Sequence, residues 1–214
     1  MKNTLAAALL VAALGAATPA RAQVFGQFSG AETVPPNGHL FGAYLNASDN
    51  VIGGLAQLRL SFIPNLDFGF QGGLTRLTPG GATSDLTTLR LGGDVRWQVA
   101  HRSAGSSMDV AVSGVLGVEV ADDLKNISVG PTVVASRTLP IGAGGGLVPY
   151  AGGGLLFISR DAFGFQDSDI SIPLRFGMEA RFTQDFRIVA ELQLFVADRY
   201  NDDVGFATGV NLPF

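Results

Sequence analysis

Charged side chains recur in segments whose alternate positions are apolar, and they are the residues of this sequence best placed for chemistry. Five of each sign occupy such positions: Arg59, Arg90, Arg96, Arg175, Arg181, Asp67, Asp94, Glu119, Glu179 and Glu191. Two adjacent carboxylates can raise one pKa and so support acid–base catalysis. Arginines placed between carboxylates form ion pairs instead, and the equal numbers favour ion pairing.

One pair of carboxylates depends on the length of a turn. If Gln184–Phe186 is a three-residue hairpin loop, Glu179 faces Glu191 directly on the neighbouring segment. Arg181 then lies on the diagonal and can bridge the two carboxylates. We expect this group to be ion-paired rather than catalytic.

A second pairing follows from another turn. If residues 102–107 form the turn between the segments Leu86–His101 and Met108–Ala121, Arg90 lies opposite Glu119 and the two side chains can form an ion pair. Charges of equal number, held in a narrow interior, indicate a paired network. A strongly ion-selective pore more often carries an excess of one sign.

Other chemical signatures are weak, and we expect no catalytic residue, metal or cofactor. The two histidines, His39 and His101, are interpreted as polar residues beside turns. The pairs 122–123 and 202–203 are consecutive aspartates, which we interpret as solvated loop charge rather than a calcium site. The glycine-rich stretch 141–146 is not followed by the lysine motif of a phosphate-binding loop.

The charges lie on segments with a strand-like period of two. Between Leu86 and His101, leucine, valine and tryptophan take one face, while arginine, aspartate and glutamine take the other. We predict ten strands: His39–Ala47, Val51–Phe62, Leu66–Leu77, Leu86–His101, Met108–Ala121, Ile127–Leu139, Leu147–Ser159, Ile170–Thr183, Phe186–Ala197 and Val204–Phe214. Their length suits tilted transmembrane strands, whereas soluble strands centre near about six residues. Short turns alternate with longer, more polar connections such as 160–169.

The amino terminus has the pattern of a secretory signal. Lys2 precedes an apolar run, residues 5–17, and Ala20-Arg21-Ala22 has the small-residue pattern of a cleavage site. We therefore predict a signal peptide over residues 1–22, cleaved after Ala22. The run is too short to span a bilayer as a helix. The chain has no cysteine, which excludes disulfides and a lipid-modified cysteine.

The carboxyl terminus is an alternating strand that ends on an aromatic residue. Its apolar positions are Phe206, Val210, Leu212 and Phe214, and Thr208 departs from the series. The chain resembles small bacterial outer-membrane β-barrels, the superfamily of OmpA-type transmembrane domains and porin-like proteins. The features that carry this resemblance are the secretory signal, the alternating strands and the aromatic carboxyl-terminal residue. The resemblance implies that the barrel-assembly machinery reads those four apolar residues as an assembly signal.

The resemblance covers residues 39–214 and implies an all-β fold. We expect a transmembrane antiparallel up-and-down β-barrel of ten strands, with eight as the alternative, embedded in outer-membrane lipid. Both termini would be periplasmic, residues 23–38 would form a short periplasmic leader, and the ten charges would line the lumen.

Function is less specified than fold. We favour a non-enzymatic barrel that is structural or passes small solutes, with a charge-paired lumen. One alternative is a barrel enzyme acting on lipid or peptide; such families use histidine near the outer side, whereas both histidines here fall at periplasmic ends. Another is a secreted β-sandwich or lipocalin-like binding protein. Acidic residues outnumber basic ones, 18 to 14, which argues against a nucleic-acid partner.

Overall fold

The computed structural model describes residues 27–48, 51–77, 86–122, 124–141, 145–162, 165–196 and 204–214. Its strands are β1 (His39–Ser48), β2 (Val51–Ile63), β3 (Leu66–Leu77), β4 (Leu86–Ala100), β5 (Asp109–Ala121), β6 (Leu124–Ser136), β7 (Leu139–Ile141), β8 (Gly145–Gly154), β9 (Leu156–Ala162), β10 (Phe165–Arg181), β11 (Arg187–Val196) and β12 (Val204–Pro213). A single 3₁₀ turn, Arg102–Ala104, joins β4 to β5. The predicted signal peptide and its cleavage site lie outside the described residues.

The strands form one closed antiparallel barrel of ten wall positions, as the sequence predicts. β1 pairs with β2 on one side and with β12 on the other, which closes the sheet. β8 and β9 are two halves of one wall strand, because the register across Leu155 does not change: Thr132 pairs with Gly154, and Val129 with Phe157. The short β7 follows β6 and pairs with β8. Within the described part of the chain, no helix has the length and hydropathy of a membrane span.

We call the end of the barrel at which Phe214 lies the base, and the opposite end the top. The turn Pro64-Asn65 and the loop Phe182–Phe186 lie at the base. The tight hairpin between β5 and β6 lies at the top. Asn65 has a positive φ of 66°, a conformation that asparagine tolerates and that lets β2 reverse into β3 within two residues.

One predicted loop is largely strand. Residues 160–169 were expected as a polar connection, but β9 runs to Ala162 and β10 begins at Phe165. Phe165 pairs with Ala162 and Asp169 with Ile158, so the two strands extend at the top as a hairpin. The prediction was wrong because polar residues on both faces hide the period of two, while backbone pairing continues regardless of side-chain polarity.

The barrel wall is apolar outside and polar inside, the reverse of a soluble core. Outward side chains that remain exposed include Phe41, Leu45, Ile52, Phe62, Phe70, Leu74, Leu91, Val95, Trp97, Leu116, Phe176 and Phe206. Inward side chains that are buried include Gln57, Arg59, Asp67, Thr88, Arg90, Asp94, Arg96, Glu119, Asn126, Glu179, Glu191 and Asn211. An apolar exterior of this kind is stable only against lipid or detergent.

An arginine on the outer wall should be expensive at mid-depth. Val95 is 45% exposed on the outside of β4, while its neighbour Asp94 is 5% exposed inside. We expect Val95→Arg to lower the free energy of unfolding in lipid by about 2–4 kcal/mol, because a charge there must leave water for hydrocarbon. Urea titration of unfolding in liposomes measures the change.

Cysteine labelling provides the control for that assignment of faces. Cys introduced at Val95 should react with a lipid-soluble probe, and Cys at Asp94 should be protected from it. The opposite labelling pattern would contradict the register, since a slip by one residue exchanges the two faces.

The segment that the sequence places ahead of the barrel is partly inside it. Residues 23–38 were predicted as a separate leader, but residues 27–34 lie within the lumen, with Phe28, Ala31 and Val34 buried. This correction has a physical basis: the segment has no strand period, so its partners can be seen only in the folded barrel. We call residues 27–34 the leader segment.

Candidate functional site in the barrel lumen

The lumen contains a buried group of two arginines and two aspartates from adjacent strands. Arg59 on β2 contacts Asp67 on β3 at 2.5 Å and Asp94 on β4 at 2.7 Å. Arg96 on β4 contacts the second oxygen of Asp67 at 2.6 Å. The group is neutral, which buried charges require if they are to remain ionised. We call it the four-charge cluster.

A glycine makes room for this cluster. Gly69 lies on β3 between Arg59 and Asp94, which belong to the strands on either side. A Cβ at Gly69 would come within 2.3 Å of Asp94 Oδ1 and 2.7 Å of Arg59 Nη1. The absence of a side chain at this position lets the arginine reach across β3 in the observed conformation.

A second ion pair lies nearer the top. Arg90 and Glu119 are direct cross-strand partners on β4 and β5, with Arg90 Nε 2.9 Å from Glu119 Oε1. The hydroxyl of Thr88 donates to the same carboxylate oxygen at 2.8 Å. A bulge at Val99 lies in this hairpin, but it leaves the predicted alignment of Arg90 with Glu119 in place.

The carboxylates near the base are arranged differently from the prediction. Glu179 pairs across the sheet with Val189, and Glu191 pairs with Gly177, so the two carboxylates do not face one another. The prediction was wrong because the loop has five residues, 182–186, closed by donation from the Phe182 N–H to the Phe186 carbonyl at 3.2 Å. The register shift of two residues keeps every side chain on its expected face but changes its partner.

Each of these carboxylates has its own partners. Glu179 accepts from Arg181 Nε at 2.7 Å, from Arg187 Nη1 at 3.3 Å and from Asn211 at 3.1 Å. Arg187 was not among the predicted lumen charges, although its position two residues from a lumen-facing valine on β11 could have identified it.

Glu191 is held by side chains from β10 and from β8, the strand beyond it. The hydroxyl of Tyr150 on β8 donates to Glu191 Oε2 at 2.8 Å, and Arg175 Nη1 lies 4.0 Å from the same oxygen. Tyr150 crosses over Gly177 on the intervening strand, where a Cβ would lie 2.1 Å from the tyrosine ring. Taken together, the structure places all ten predicted charges inward, and each lies within 4.0 Å of an opposite charge.

The leader segment crosses the lumen from the base toward mid-depth. Arg96 donates to the Gly30 carbonyl at 2.8 Å, to the Ser29 hydroxyl at 2.8 Å and to the Glu32 carbonyl at 3.0 Å. The carboxylate of Asp67 accepts from the Val34 N–H at 3.0 Å. The four-charge cluster therefore also binds the backbone of the leader segment.

The tip of the leader segment reaches the middle of the barrel. The Gln27 amide donates to Asp94 at 3.0 Å and accepts from Arg175 at 2.8 Å. Phe28 stacks on Tyr44 with ring centroids 4.1 Å apart. A cavity of about 30 Å³ adjoins Gln27, room for one or two waters. The lumen is thus narrow at the depth of Gln27.

Glu32 fastens the leader segment at the base. Its carboxylate lies 2.7 Å from Arg181 Nη2 and accepts from the Thr138 hydroxyl at 2.8 Å. Burial opposes ionisation, but the nearby arginines, Arg181 above all, and the hydrogen bonds outweigh it and hold the pKa of Glu32 below its ordinary value.

This arrangement predicts an acid-sensitive contribution to stability. Because folding lowers the pKa of Glu32, its contribution is complete above about pH 4.5 and is lost as the pH falls through the lowered pKa. Glu32→Gln should flatten that part of the pH dependence of the thermal unfolding midpoint in detergent. An equal slope in wild type and variant between about pH 5 and pH 3 would contradict this prediction.

The remaining described residues that the sequence singled out lie near the two ends of the barrel. His39 is half-buried at the base and stacks on Phe214 at 5.2 Å, and His101 lies beside the base loop before β5. Asp122 is exposed, while residues 123 and 202–203 lie outside the described residues. In the described ranges, no group of three histidines or carboxylates is spaced to hold a metal ion.

The terminal residues predicted as an assembly signal lie on the outer face of β12. Phe206, Leu212 and Phe214 are exposed there, and Val210 shares their face. Phe214 and His39 exchange two backbone hydrogen bonds, at 3.0 and 3.1 Å, which join the last residue to the first strand. Thr208 is the polar exception in this series. Its hydroxyl donates a hydrogen bond to the Val189 carbonyl at 3.1 Å, so this polar group has a partner within the barrel wall.

A closed barrel with an apolar exterior and a charged interior belongs to the class of transmembrane β-barrels. Two solved structures share the fold. An outer-membrane channel from Pseudomonas putida F1 is 12% identical, with a TM-score of 0.56 over 90% of this chain and 100% of that one. The β domain of the Bordetella autotransporter BrkA is 10% identical, with a TM-score of 0.51 over 83% and 99%.

A third match, a bacterial polysaccharide outer-membrane secretin, is 13% identical with a TM-score of 0.49, and this chain spans only 66% of its length. No protein-family model and no curated protein matches the sequence. The chain therefore has the fold of outer-membrane β-barrels, and the first two matches show that fold and no particular activity.

Proposed function

We propose that this protein is an integral β-barrel of the bacterial outer membrane, non-enzymatic, with a structural or narrow porin-like role. In this proposal the signal peptide is removed after Ala22, the barrel-assembly machinery inserts the barrel, and the base faces the periplasm. The observation that carries the proposal is the lumen itself, in which every one of the ten predicted charges meets an opposite charge within 4.0 Å.

Charge pairing explains how such a barrel is closed rather than open. Side chains nearly fill a barrel of eight strands, and ten strands add modest room. The four-charge cluster and the leader segment occupy that room at and below mid-depth. Water and small solutes would pass only where this packing loosens, so the expected conductance of the wild type is small.

The enzymatic alternative has less support. An acid–base site needs a carboxylate or imidazole poised beside a substrate cavity. The lumen carboxylates instead hold arginines, and the Glu179–Glu191 dyad that suggested catalysis does not form. The secreted-binder alternative is disfavoured by the wall, because a soluble protein presents polar side chains to water, whereas large apolar side chains such as Phe70, Leu91 and Trp97 face outward here.

Single-channel recording with Glu119→Ala tests the proposal. Removing this carboxylate breaks the buried cross-strand ion pair between Arg90 and Glu119. We expect either a measurable leak or a loss of about 3–5 kcal/mol in the free energy of unfolding, because removing one partner of a buried ion pair is costly.

A double variant provides the control for that experiment. Arg90→Met with Glu119→Ala should cost less than the sum of the two single changes, since both charges are then absent. Large wild-type conductance together with additive single variants would overturn the proposal, because an open pore solvates its charges individually.

A further inference from the structure

We infer that the base half of the lumen is a binding site for an extended peptide, occupied by the leader segment of the same chain, and that release of this segment gates the lumen. The inference rests on the proposed function, because a gate matters only where the lumen is otherwise closed.

The leader segment is bound through side-chain contacts, as a peptide ligand is, and not through the backbone pairing of a β-strand. Within the described residues, no backbone hydrogen bond joins residues 27–34 to a strand. Its backbone groups contact side chains instead: the Ala31 N–H donates to Ser136 at 2.8 Å, the Thr33 N–H to Gln98 at 3.0 Å, and the Phe28 carbonyl accepts from Asn211 at 3.0 Å. Its departure would break no pairing within the wall.

Most of these contacts are exchangeable with water. A hydrogen bond between protein groups contributes little net free energy when both partners can be solvated afterwards. The apolar part of the contact involves few leader residues: Phe28 and Ala31 pack in a buried cluster with wall residues that include Tyr44 and Val134, and Val34 is buried as well. The docked and free states of the leader segment therefore differ by far less than the folded and unfolded states of the barrel.

The turn that follows the leader segment provides a fixed pivot. Gly38 N–H donates to the Pro35 carbonyl at 2.9 Å, and Asn37 has a positive φ of 62°. The Asn37 N–H donates to the Ser61 carbonyl at 2.8 Å, and the Ser61 N–H donates to the Gly38 carbonyl at 3.3 Å. Residues 37 and 38 are thus fastened to β2, while the contacts of residues 27–34 within the described part of the chain are to lumen side chains.

The lumen is built to survive release. Arg96 and Asp67 contact each other at 2.6 Å independently of the leader segment, and Arg181 keeps Glu179 at 2.7 Å when Glu32 leaves. The wall would therefore remain charge-paired, with polar groups freed toward the vacated space. A cavity of about 330 Å³ already adjoins the leader segment at the base, lined by Glu32, Arg96, Arg181 and Arg187.

A cysteine lock in the full chain tests the gate. A Cβ at Gly30 would lie 3.0 Å from the Cβ of Ser136, close to disulfide range, and the chain has no cysteine of its own. In a Glu32→Gln background, which loosens the leader segment, we expect brief openings in single-channel recordings. Adding Gly30→Cys and Ser136→Cys should abolish those openings under oxidant and restore them under reductant. Ser136→Cys alone should not respond to oxidant.

Chemical labelling gives a second measurement that needs no conductance. Ser29→Cys is buried in the docked state, so a water-soluble maleimide should react with it slowly. Glu32→Gln should raise that rate by about tenfold, the effect of losing one charge-assisted contact on the docking equilibrium. Asn126→Cys, buried on the inward face of β6 near the top and away from the leader segment, is the matched control and should keep its rate.

The possible failures are distinguishable. Equal labelling of Ser29→Cys with and without Glu32→Gln, together with openings that the oxidised lock does not abolish, would overturn the gate and leave the charge-paired barrel standing. Large steady conductance of the wild type that persists in the oxidised lock would overturn the proposed function itself.

Discussion

Replacing Asp67 by alanine is expected to lower the free energy of unfolding by about 3–5 kcal/mol, because it leaves two buried arginines with Asp94 as the one remaining carboxylate of the four-charge cluster. Asp67 is fully buried and contacts Arg59 at 2.5 Å and Arg96 at 2.6 Å. It also accepts from the Val34 N–H at 3.0 Å, so the same change weakens the leader segment. Urea-induced unfolding of the purified barrel in liposomes measures the effect.

Two variants provide controls for this prediction. Asp185→Ala removes an exposed carboxylate in the base loop and should change stability by less than about 0.5 kcal/mol. Arg59→Met combined with Asp67→Ala removes one charge of each sign and should cost less than the two single changes together. A loss below about 1 kcal/mol for Asp67→Ala would mean that water reaches the cluster and that the lumen is not dry at this depth.

Phe214→Ala is expected to reduce the amount of assembled barrel in the outer membrane severely while changing the stability of the refolded protein little. The side chain is 72% exposed and its backbone bonds to His39 do not depend on the ring. Its importance, in our proposal, lies in recognition by the barrel-assembly machinery. Quantifying heat-modifiable protein in isolated outer membranes, beside unfolding of refolded protein, separates the two effects.

Phe186→Ala is the matched control for that experiment. Phe186 is also an exposed aromatic residue at the base, at 39%, but it lies in a loop outside the terminal strand. It should leave assembly in cells unchanged. Equal assembly of Phe214→Ala and wild type would contradict the role of the terminal residue, whereas equal losses for both phenylalanines would indicate a general need for aromatic residues at the membrane interface.

The lumen combines two kinds of closure that differ in how readily they can be reversed. The ion pairs between strands are fixed by sheet register, so opening them would require the wall to deform. The leader segment is attached through hydrogen bonds to side chains, the Glu32–Arg181 ion pair and the packing of Phe28 and Ala31, so it can leave without breaking any backbone pairing of the wall. A barrel with these two kinds of closure can keep a stable wall while the passage through its lumen opens and closes.

The sequence determined the wall of this protein. A period of two assigns each strand residue to one face, and that assignment survives errors in loop length by an even number of residues, as in the β10–β11 hairpin. The prediction of ten strands, of inward charges and of Arg90 opposite Glu119 needed only local alternation and a turn. The Glu179–Glu191 pairing failed because the number of residues in a hairpin loop depends on its backbone hydrogen bonds, which composition does not reveal.

The contents of the lumen were decided by the tertiary structure. The leader segment has no period, and its contacts come from strands as distant in sequence as β1, β4 and β12. Arg59 reaches Asp94 across Gly69, and Tyr150 reaches Glu191 across Gly177, because a missing side chain on the middle strand lets a long one pass. The face of the sheet that a side chain takes depends on local geometry along one strand. The contacts that an inward side chain makes depend on which other side chains reach the same part of the lumen after the barrel has closed.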